Sequence, residues 1–355
     1  MSDHLRIPQG TESFYLEDAF AHQSLLRAFE DTCHSWSYLP VTTPVYDYHD
    51  AYRGVLSADH EGKSFRLIDR TGALLILRPD VTLFLARQMG LVLQQADLPV
   101  RVHYADTILR HEDPNHPSKD EYFQVGAELI GLSGLEAEAE MILLLFDVLD
   151  RWSADSVVLH IGHRGVLSEP DPDGSMAKAI SHRDWVRLRA LLEKHGLEGA
   201  RVESLVELLG FIGTASELEE RLTRVTGITT GERDALNNLL SLAQEAEALG
   251  YGERIRIDLS EVGSQSYHSG VVFQAYAEGV SAPVASGGRY DGLLGRFGFS
   301  SPSVGFSVML RRVQTLLRSE LPAGAREVIP ARGESFRERA RFARDQRAKG
   351  KVVRL

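Results

Sequence analysis

Residues Val100 to Gly131, VRVHYADTILRHEDPNHPSKDEYFQVGAELIG, constrain the fold of this chain more than any other stretch. Two runs of β character, Val100 to Glu112 and Tyr122 to Ile130, flank a polar loop bearing Pro114, Asn115, Pro117 and Ser118. That is the pattern of an antiparallel hairpin with a long connection. Alternation along the second strand places Gln124, Gly126 and Glu128 on one face, while the first strand carries Arg110 and Glu112 to the loop mouth. An amide and a carboxylate gathered beside a guanidinium are costly to bury without a partner, so the face predicts a polar ligand. A sheet with one wet face accommodates the same residues, with Arg110 and Glu112 paired at the rim and Glu128 in solvent. The hairpin alone does not discriminate between the two.

With 355 residues the chain has room for roughly two domains and a large core. A hydrophobic share of 43% and a charged share of 25% are those of an ordinary globular protein rather than a disordered or membrane-embedded one. The net charge of −11 opposes a grip on polyphosphate backbones, which disfavours wholesale nucleic-acid binding. The single cysteine, Cys33, excludes an internal disulfide and any cysteine-rich metal site, and it fits a reducing compartment. No apolar run reaches the roughly 18 residues of a membrane span, and the start MSDHLRIPQG lacks a signal-peptide core. The expected location is the cytoplasm.

The opening segment is amphipathic, with Leu26, Phe29, Cys33 and Trp36 at spacings of three and four. This predicts a helix ending near Tyr38, before Pro40 and Pro44, with Val41 to Val45 extended. Ser64 to Asp69 and Leu74 to Leu77 predict a second hairpin that turns at Arg70-Thr71-Gly72 and runs into Arg78-Pro79-Asp80-Val81-Thr82. Asp80 is placed to cap a helix over Val81 to Gln95, either as a cap alone or with its second oxygen turned into a pocket. Leu135 to Trp152 reads as an apolar helix and Ser156 to Ile161 as a buried strand. From the turn-rich Glu169 to Gly174 through Leu249 the patterns are helical, predicting an inserted helical subdomain with a charged outer face. β Character returns in RIRIDLSE, GVVFQAY and APVAS, followed by Gly287-Gly288-Arg289-Tyr290-Asp291-Gly292. Val304 to Leu317 passes from strand to helix, and the tail from Pro322 holds one helical run, Glu334 to Lys349, and a short strand, Lys351 to Leu355.

These segments, in this order, resemble the catalytic core of the class II aminoacyl-tRNA synthetases, and within them histidyl-tRNA synthetase. The matching text is LRPDVT (77 to 82), LRHE (109 to 112), YFQVGAELIG (122 to 131), YHSGVVFQ (267 to 274) and GGRYDGLL (287 to 294). The resemblance spans roughly residues 5 to 318. It implies an α+β fold with an antiparallel six- or seven-stranded sheet flanked by helices, and a homodimer. The implied organisation is a core over 1–168 and 253–318, a helical insertion over 169–252, and a short tail over 319–355 in place of an anticodon-binding domain. By the same resemblance, Asp80, Thr82 and Gln124 hold an amino-acid backbone while Glu128 and Tyr267 read an imidazole. Arg110 sits near the carboxylate, Tyr290 walls the pocket, and His268 stands beside it where the synthetases carry a tyrosine. The chemistry is consistent, since carboxylates answer an ammonium and an imidazole N–H, and a guanidinium answers an anion.

The departures are as informative. Gly263 stands where the synthetases carry an arginine needed for amino-acid activation, and Ser118-Lys119-Asp120-Glu121 puts acid where a basic residue for ATP is expected. In Gly305-Phe306-Ser307-Val308-Met309-Leu310-Arg311-Arg312 a methionine replaces the inner glycine of the third motif, although Arg312 keeps the last position. Each lost transition-state contact typically costs about 2.7 to 4 kcal/mol, so adenylation is not expected unless Arg254, Arg256 or Arg289 reaches in as a substitute.

A core that keeps an amino-acid pocket and lacks both ATP chemistry and the anticodon domain resembles the regulatory subunits of ATP phosphoribosyltransferase. That resemblance implies a protein with no catalytic residues, cofactor or metal of its own. Its implied partners are a short-form catalytic subunit, in a hetero-oligomer, and L-histidine as effector, with no tRNA and no membrane. Two other readings are an active paralogue that passes an aminoacyl adenylate to a non-tRNA acceptor, and a scaffold with a vestigial pocket.

Overall fold

The computed structural model describes residues 10–11, 13–56, 58–111, 120–169, 171, 174–263, 267–317 and 329–355. Glu112, Pro114, Asn115, Pro117, Ser118, Lys119, Ser264, Gln265, Ser266 and Pro322, which figure in the sequence reading, lie outside the described residues.

The first half of the chain runs α1 (Leu16–Ser35), β1 (Leu39–Pro40), β2 (Tyr46–Tyr48), α2 (Ala58–Lys63), β3 (Arg66–Ile68), β4 (Leu74–Leu77) and α3 (Val81–Val92). Next come β5 (Val100–Leu109), β6 (Glu121–Ile130), α4 (Leu135–Arg151) and β7 (Val158–His163). A helical stretch follows, with α5 (Ser175–Ser181), α6 (Trp185–Lys194), α7 (Gly199–Leu209), β8 (Ile212–Gly213), α8 (Ala215–Leu222) and α9 (Thr230–Ala248). The chain then returns to the sheet in β9 (Ile255–Asp258), β10 (Val271–Tyr276), β11 (Ala285–Arg289) and β12 (Ser303–Met309), and leaves it through α10 (Leu310–Leu316). The tail holds β13 (Ile329–Pro330), α11 (Phe336–Ala348) and β14 (Val353–Arg354), with β13 and β14 parallel.

Among the described residues the main sheet has nine strands in the order β1-β5-β6-β12-β11-β10-β7-β9-β8. Its centre, β5 to β7 in that order, is a six-stranded antiparallel run, as the class II resemblance implies. The sheet is wider than that expectation because β1 joins β5 in parallel, β9 joins β7 in parallel, and β8 adds an edge to β9. Strand alternation sorts β6: Val125, Ala127 and Leu129 enter the large core shared with α1 and α4, and Gln124, Gly126 and Glu128 take the opposite face. The helices from α6 to α9 turn Leu188, Leu192, Leu205, Leu236 and Leu239 into that same core. On the other face α3 buries Phe84 and Leu85 against Tyr104, Ile108 and Phe297. Among the described residues no helix is long and apolar enough to cross a membrane.

Several boundaries differ from the sequence reading, each for a local reason. α1 ends at Ser35 rather than near Tyr38, because Ser37 adopts a left-handed φ of 65° and turns Tyr38 inward, where its hydroxyl donates to Glu140 at 2.8 Å. The strand expected over Val41 to Val45 lies instead at Leu39–Pro40. Arg78 occupies the later segment, donating to the Thr43 and Pro44 carbonyls at 2.9 and 3.3 Å and, from its backbone N–H, to Val45 O at 2.8 Å. α3 stops at Val92, since Leu93 is already extended and Gln94 caps a separate short turn. β5 ends at Leu109; beyond it Arg110 forms an isolated bridge with Ser64 and its N–H donates to the Asp120 carbonyl at 2.9 Å.

Candidate functional site

The polar face of the sheet holds a cavity of about 80 Å³ between β6, β10, β11, β12 and the start of α3. Asp80, Thr82, Arg110, Gln124, Glu128, Tyr267, His268 and Tyr290 all line it, although they come from five separated segments of sequence. Asp80 is the N-cap of α3, its Oδ1 accepting from Leu83 N at 3.0 Å, and it lines the cavity as well. Gln124 accepts from Val81 N–H at 3.3 Å, which ties β6 to the same helix start.

Glu128 is only 1% exposed, so a solvent-facing position for it is excluded. Its carboxylate accepts from the Thr82 hydroxyl at 2.8 Å and from the Tyr290 hydroxyl. Burial pushes its pKa up to about 8; the Thr82 and Tyr290 hydrogen bonds oppose that rise and the neighbouring Asp80 charge adds to it. The space that holds this carboxylate exists because position 305 is glycine. A Cβ there would meet Glu128 Oε2 at 1.5 Å and Ala127 O at 2.7 Å.

His268 is held neutral, burial and the Arg164 charge pushing its pKa down to about 4. Its Nδ1 and Arg110 Nε are buried with no hydrogen-bond partner among the described residues. Two orphaned nitrogens in a cavity with a partnered carboxylate describe a site built for something polar. The arginine missing from position 263 is replaced by a backbone that favours glycine, with φ of 83° and His268 Nδ1 2.8 Å from where a Cβ would sit.

None of the arginines that could have substituted for it lines the cavity. Arg289 is buried against Glu138, its Nε donating at 2.6 Å. Arg254 pairs with Asp150, and Arg256 donates to the Gly252 and Ile255 carbonyls at 3.0 and 2.7 Å. Arg110 is thus the one cationic side chain in the lining among the described residues. Met309 is in the lining, and Arg312 donates to the Pro283 carbonyl at 2.6 Å. No group of three or more His, Cys, Asp or Glu placed to hold a metal ion occurs among the described residues.

Gln274, Ser286 and Ser307 also line the cavity and were not singled out from the sequence. They form one cross-strand row with Gly126, in direct register from β6 through β12 and β11 to β10. The available signal was a single polar residue between apolar neighbours in VVFQAY and in APVAS. Among the described residues the lining sets two carboxylates, Asp80 and Glu128, and two amides, Gln124 and Gln274, beside a single guanidinium, without the cluster of cations that a triphosphate requires.

The family model described as Histidyl-tRNA synthetase matches residues 10–313. The ATP phosphoribosyltransferase regulatory subunit of Moorella thermoacetica is 31% identical over 362 residues, covering 99% of this chain and 92% of its own. That of Bacillus licheniformis is 34% identical over 337 residues, covering 90% and 83%. Among solved structures, an ATP phosphoribosyltransferase regulatory subunit/histidyl-tRNA synthetase from Bacillus halodurans superposes with a TM-score of 0.83 at 26% identity, covering 98% of this chain and 92% of the other. Histidyl-tRNA synthetase from Nostoc sp. has a TM-score of 0.80 at 19% identity, covering 99% and 85%, a likeness of fold.

Proposed function

The chain belongs to the histidyl-tRNA synthetase family and, within it, to the ATP phosphoribosyltransferase regulatory subunits, and we propose that it activates a short-form catalytic subunit and conveys feedback inhibition by L-histidine. On this reading it acts in the cytoplasm at the first step of histidine biosynthesis, catalyses nothing alone and charges no tRNA. The carrying observation is the cavity itself: Glu128, Asp80, Thr82 and Gln124 surround a space suited to an imidazole-bearing zwitterion, while a single arginine among the described residues faces it. Feedback requires that histidine bind one arrangement of the complex more tightly than another, with a coupling of about 1 to 3 kcal/mol.

The test combines the purified chain with a short-form ATP phosphoribosyltransferase. The expected result is co-elution, a rise in phosphoribosyl transfer, and its suppression by histidine. Histidine-dependent pyrophosphate exchange by the chain alone is expected to be absent, and its detection would overturn the reading in favour of an active adenylating enzyme. Activation without any histidine response would leave only a scaffold.

We further propose that the chain is a homodimer within the larger assembly. β2 and β3 flank β4 in a small antiparallel sheet, and Tyr46, Tyr48 and Leu67 share one of its faces with 57%, 56% and 38% of their surface exposed. Contiguous apolar surface of this kind marks an interaction site. The Tyr46→Glu, Leu67→Glu double variant is expected to shift the sedimentation coefficient from that of a dimer to that of a monomer. A dimer that persists unchanged would place the contact elsewhere.

A further inference from the structure

The polar row of Ser307, Ser286 and Gln274 does not stop at the cavity. It continues in register to His160 on β7 and Arg256 on β9. Beyond Gln274 lies a second concave site of about 440 Å³, walled by the sheet on one side and by the turn between α5 and α6 on the other. The two sites share Gln274.

The charges around the second site are unevenly matched. Asp258, 1% exposed, is fully engaged: Oδ2 meets His160 Nδ1 at 3.0 Å and Arg183 Nη2 at 3.3 Å, while Oδ1 accepts from Ser260 Oγ at 2.6 Å and Ser260 N at 3.0 Å. Glu261 receives only neutral donors, the Tyr276 hydroxyl and Gln274 Nε2, both at 2.8 Å. No lysine, arginine or histidine forms an ion pair with it among the described residues. Burial raises its pKa above the usual carboxylate range; the Tyr276 hydrogen bond and the His160 and Arg183 charges, neither within ion-pair distance, oppose the rise and the Asp258 charge adds to it.

Arg183 is the complementary case. It leans over the mouth with its side chain 48% exposed, and only Nη2 is committed, to Asp258 and to Ser260 Oγ at 3.3 Å. Its backbone holds a left-handed φ of 54°, a conformation costly for a residue with a side chain. The site therefore presents an acid with no ion-pair partner among the described residues and, facing the same space, a guanidinium with spare donors. His160 and Tyr276 meet edge to face at 5.0 Å along the wall.

We propose that this concavity is a second binding site, for a small zwitterion of the amino-acid class. The ligand's ammonium meets Glu261 and its carboxylate meets Arg183, two charge-assisted contacts that neither an amine nor an acid alone can make together. Because Arg183 belongs to the helical insertion and Glu261 to the sheet side, the bound molecule bridges the two. The site stands whatever occupies the first cavity.

The experiment uses the full chain carrying Glu128→Gln, which disables the first cavity, titrated calorimetrically with each standard L-amino acid at millimolar concentration. At least one is expected to bind, and its affinity to fall about tenfold or more in Glu261→Gln and in Arg183→Ala, the loss of one charge-assisted contact each. The corresponding decarboxylated amine and deaminated acid are expected to bind at least about tenfold more weakly than the parent, for the same reason. Glu261→Gln keeps an acceptor for Tyr276 and Arg183 is half exposed, so both variants are expected to melt close to the parent without ligand. Absence of binding by every amino acid, binding unchanged in both variants, or equal binding of the amine or the acid would each overturn the proposal. Failure of the first cavity would be seen separately, as histidine binding by Glu261→Gln that adding Glu128→Gln leaves untouched.

Discussion

Replacing Glu128 with glutamine is expected to weaken histidine binding to the isolated chain by roughly 30- to 5,000-fold in isothermal titration, the loss of about 2 to 5 kcal/mol that follows truncation of one partner in a buried, hydrogen-bonded charge pair. The size follows from geometry. Glu128 is 1% exposed and held by Thr82 and Tyr290, while Asp80, the other carboxylate of the lining among the described residues, is 8% exposed. An amide in its place accepts through one oxygen only and cannot carry charge toward an imidazolium. Histidine binding of equal strength in the two proteins would remove this cavity as the effector site.

The pH dependence gives the same assignment a signature that a merely structural role would not reproduce. With its pKa pushed up to about 8, Glu128 is protonated in the empty cavity at neutral pH, while free imidazole titrates near about 6.5. A complex that shares one proton between the ring and the carboxylate therefore exchanges no net proton between about pH 6.5 and 8, and affinity is flat there. Below that window free histidine must give up a proton, and above it Glu128 must recover one, so affinity falls on both sides. In Glu128→Gln the fall that begins near pH 8 disappears. Stability of the empty protein obeys the same count. Folded Glu128 keeps a proton that the unfolded chain has released, so stability declines from about pH 4.5 to 8 and levels off above, and glutamine at 128 flattens that decline.

Much of this site was legible because it is local in the sequence. Gln124, Gly126 and Glu128 follow the two-residue period of one strand, Asp80 announces a helix start, and GGRYDG fixes a glycine-rich strand that ends at Arg289, just before Tyr290. Gly305 was visible as part of a motif, but its reason was not, since only the pairing of Gly305 with Glu128 across β12 and β6 shows which atom needs the room. The second concavity was invisible for a related cause. His160, Arg183 and the pair Asp258 and Glu261 lie on three segments with no shared period, and they meet only through the parallel pairing of β9 with β7 and the position of the α5–α6 turn. Of the strands that widen the sheet, β9 was legible in RIRIDLSE, whereas β1 and β8 are only two residues long and had no signal.

Arg289→Leu is expected to lower stability by about 3 to 5 kcal/mol, the usual result of removing one member of a buried ion pair. Arg289 and Glu138 have side chains 7% and 4% exposed, and they join at 2.6 Å with a further donor to Glu138 from Asn238 on α9 at 2.9 Å. The same guanidinium holds Asp291 at 3.1 Å and the Gly134 carbonyl at 3.1 Å. Its loss strands a carboxylate between α4, α9 and β11, with only an amide left to meet it. The residue also precedes Tyr290, whose hydroxyl closes on Glu128, so slack at 289 passes directly to the cavity wall. Denaturant midpoints for Arg289→Leu, Glu138→Leu and the double variant separate the contributions. Each single change is expected to cost more than the double change, in which no charge is stranded. A double variant whose loss equals the sum of the singles would show that the two side chains act independently, and that the pair does not hold the insertion, the sheet and Tyr290 in one arrangement.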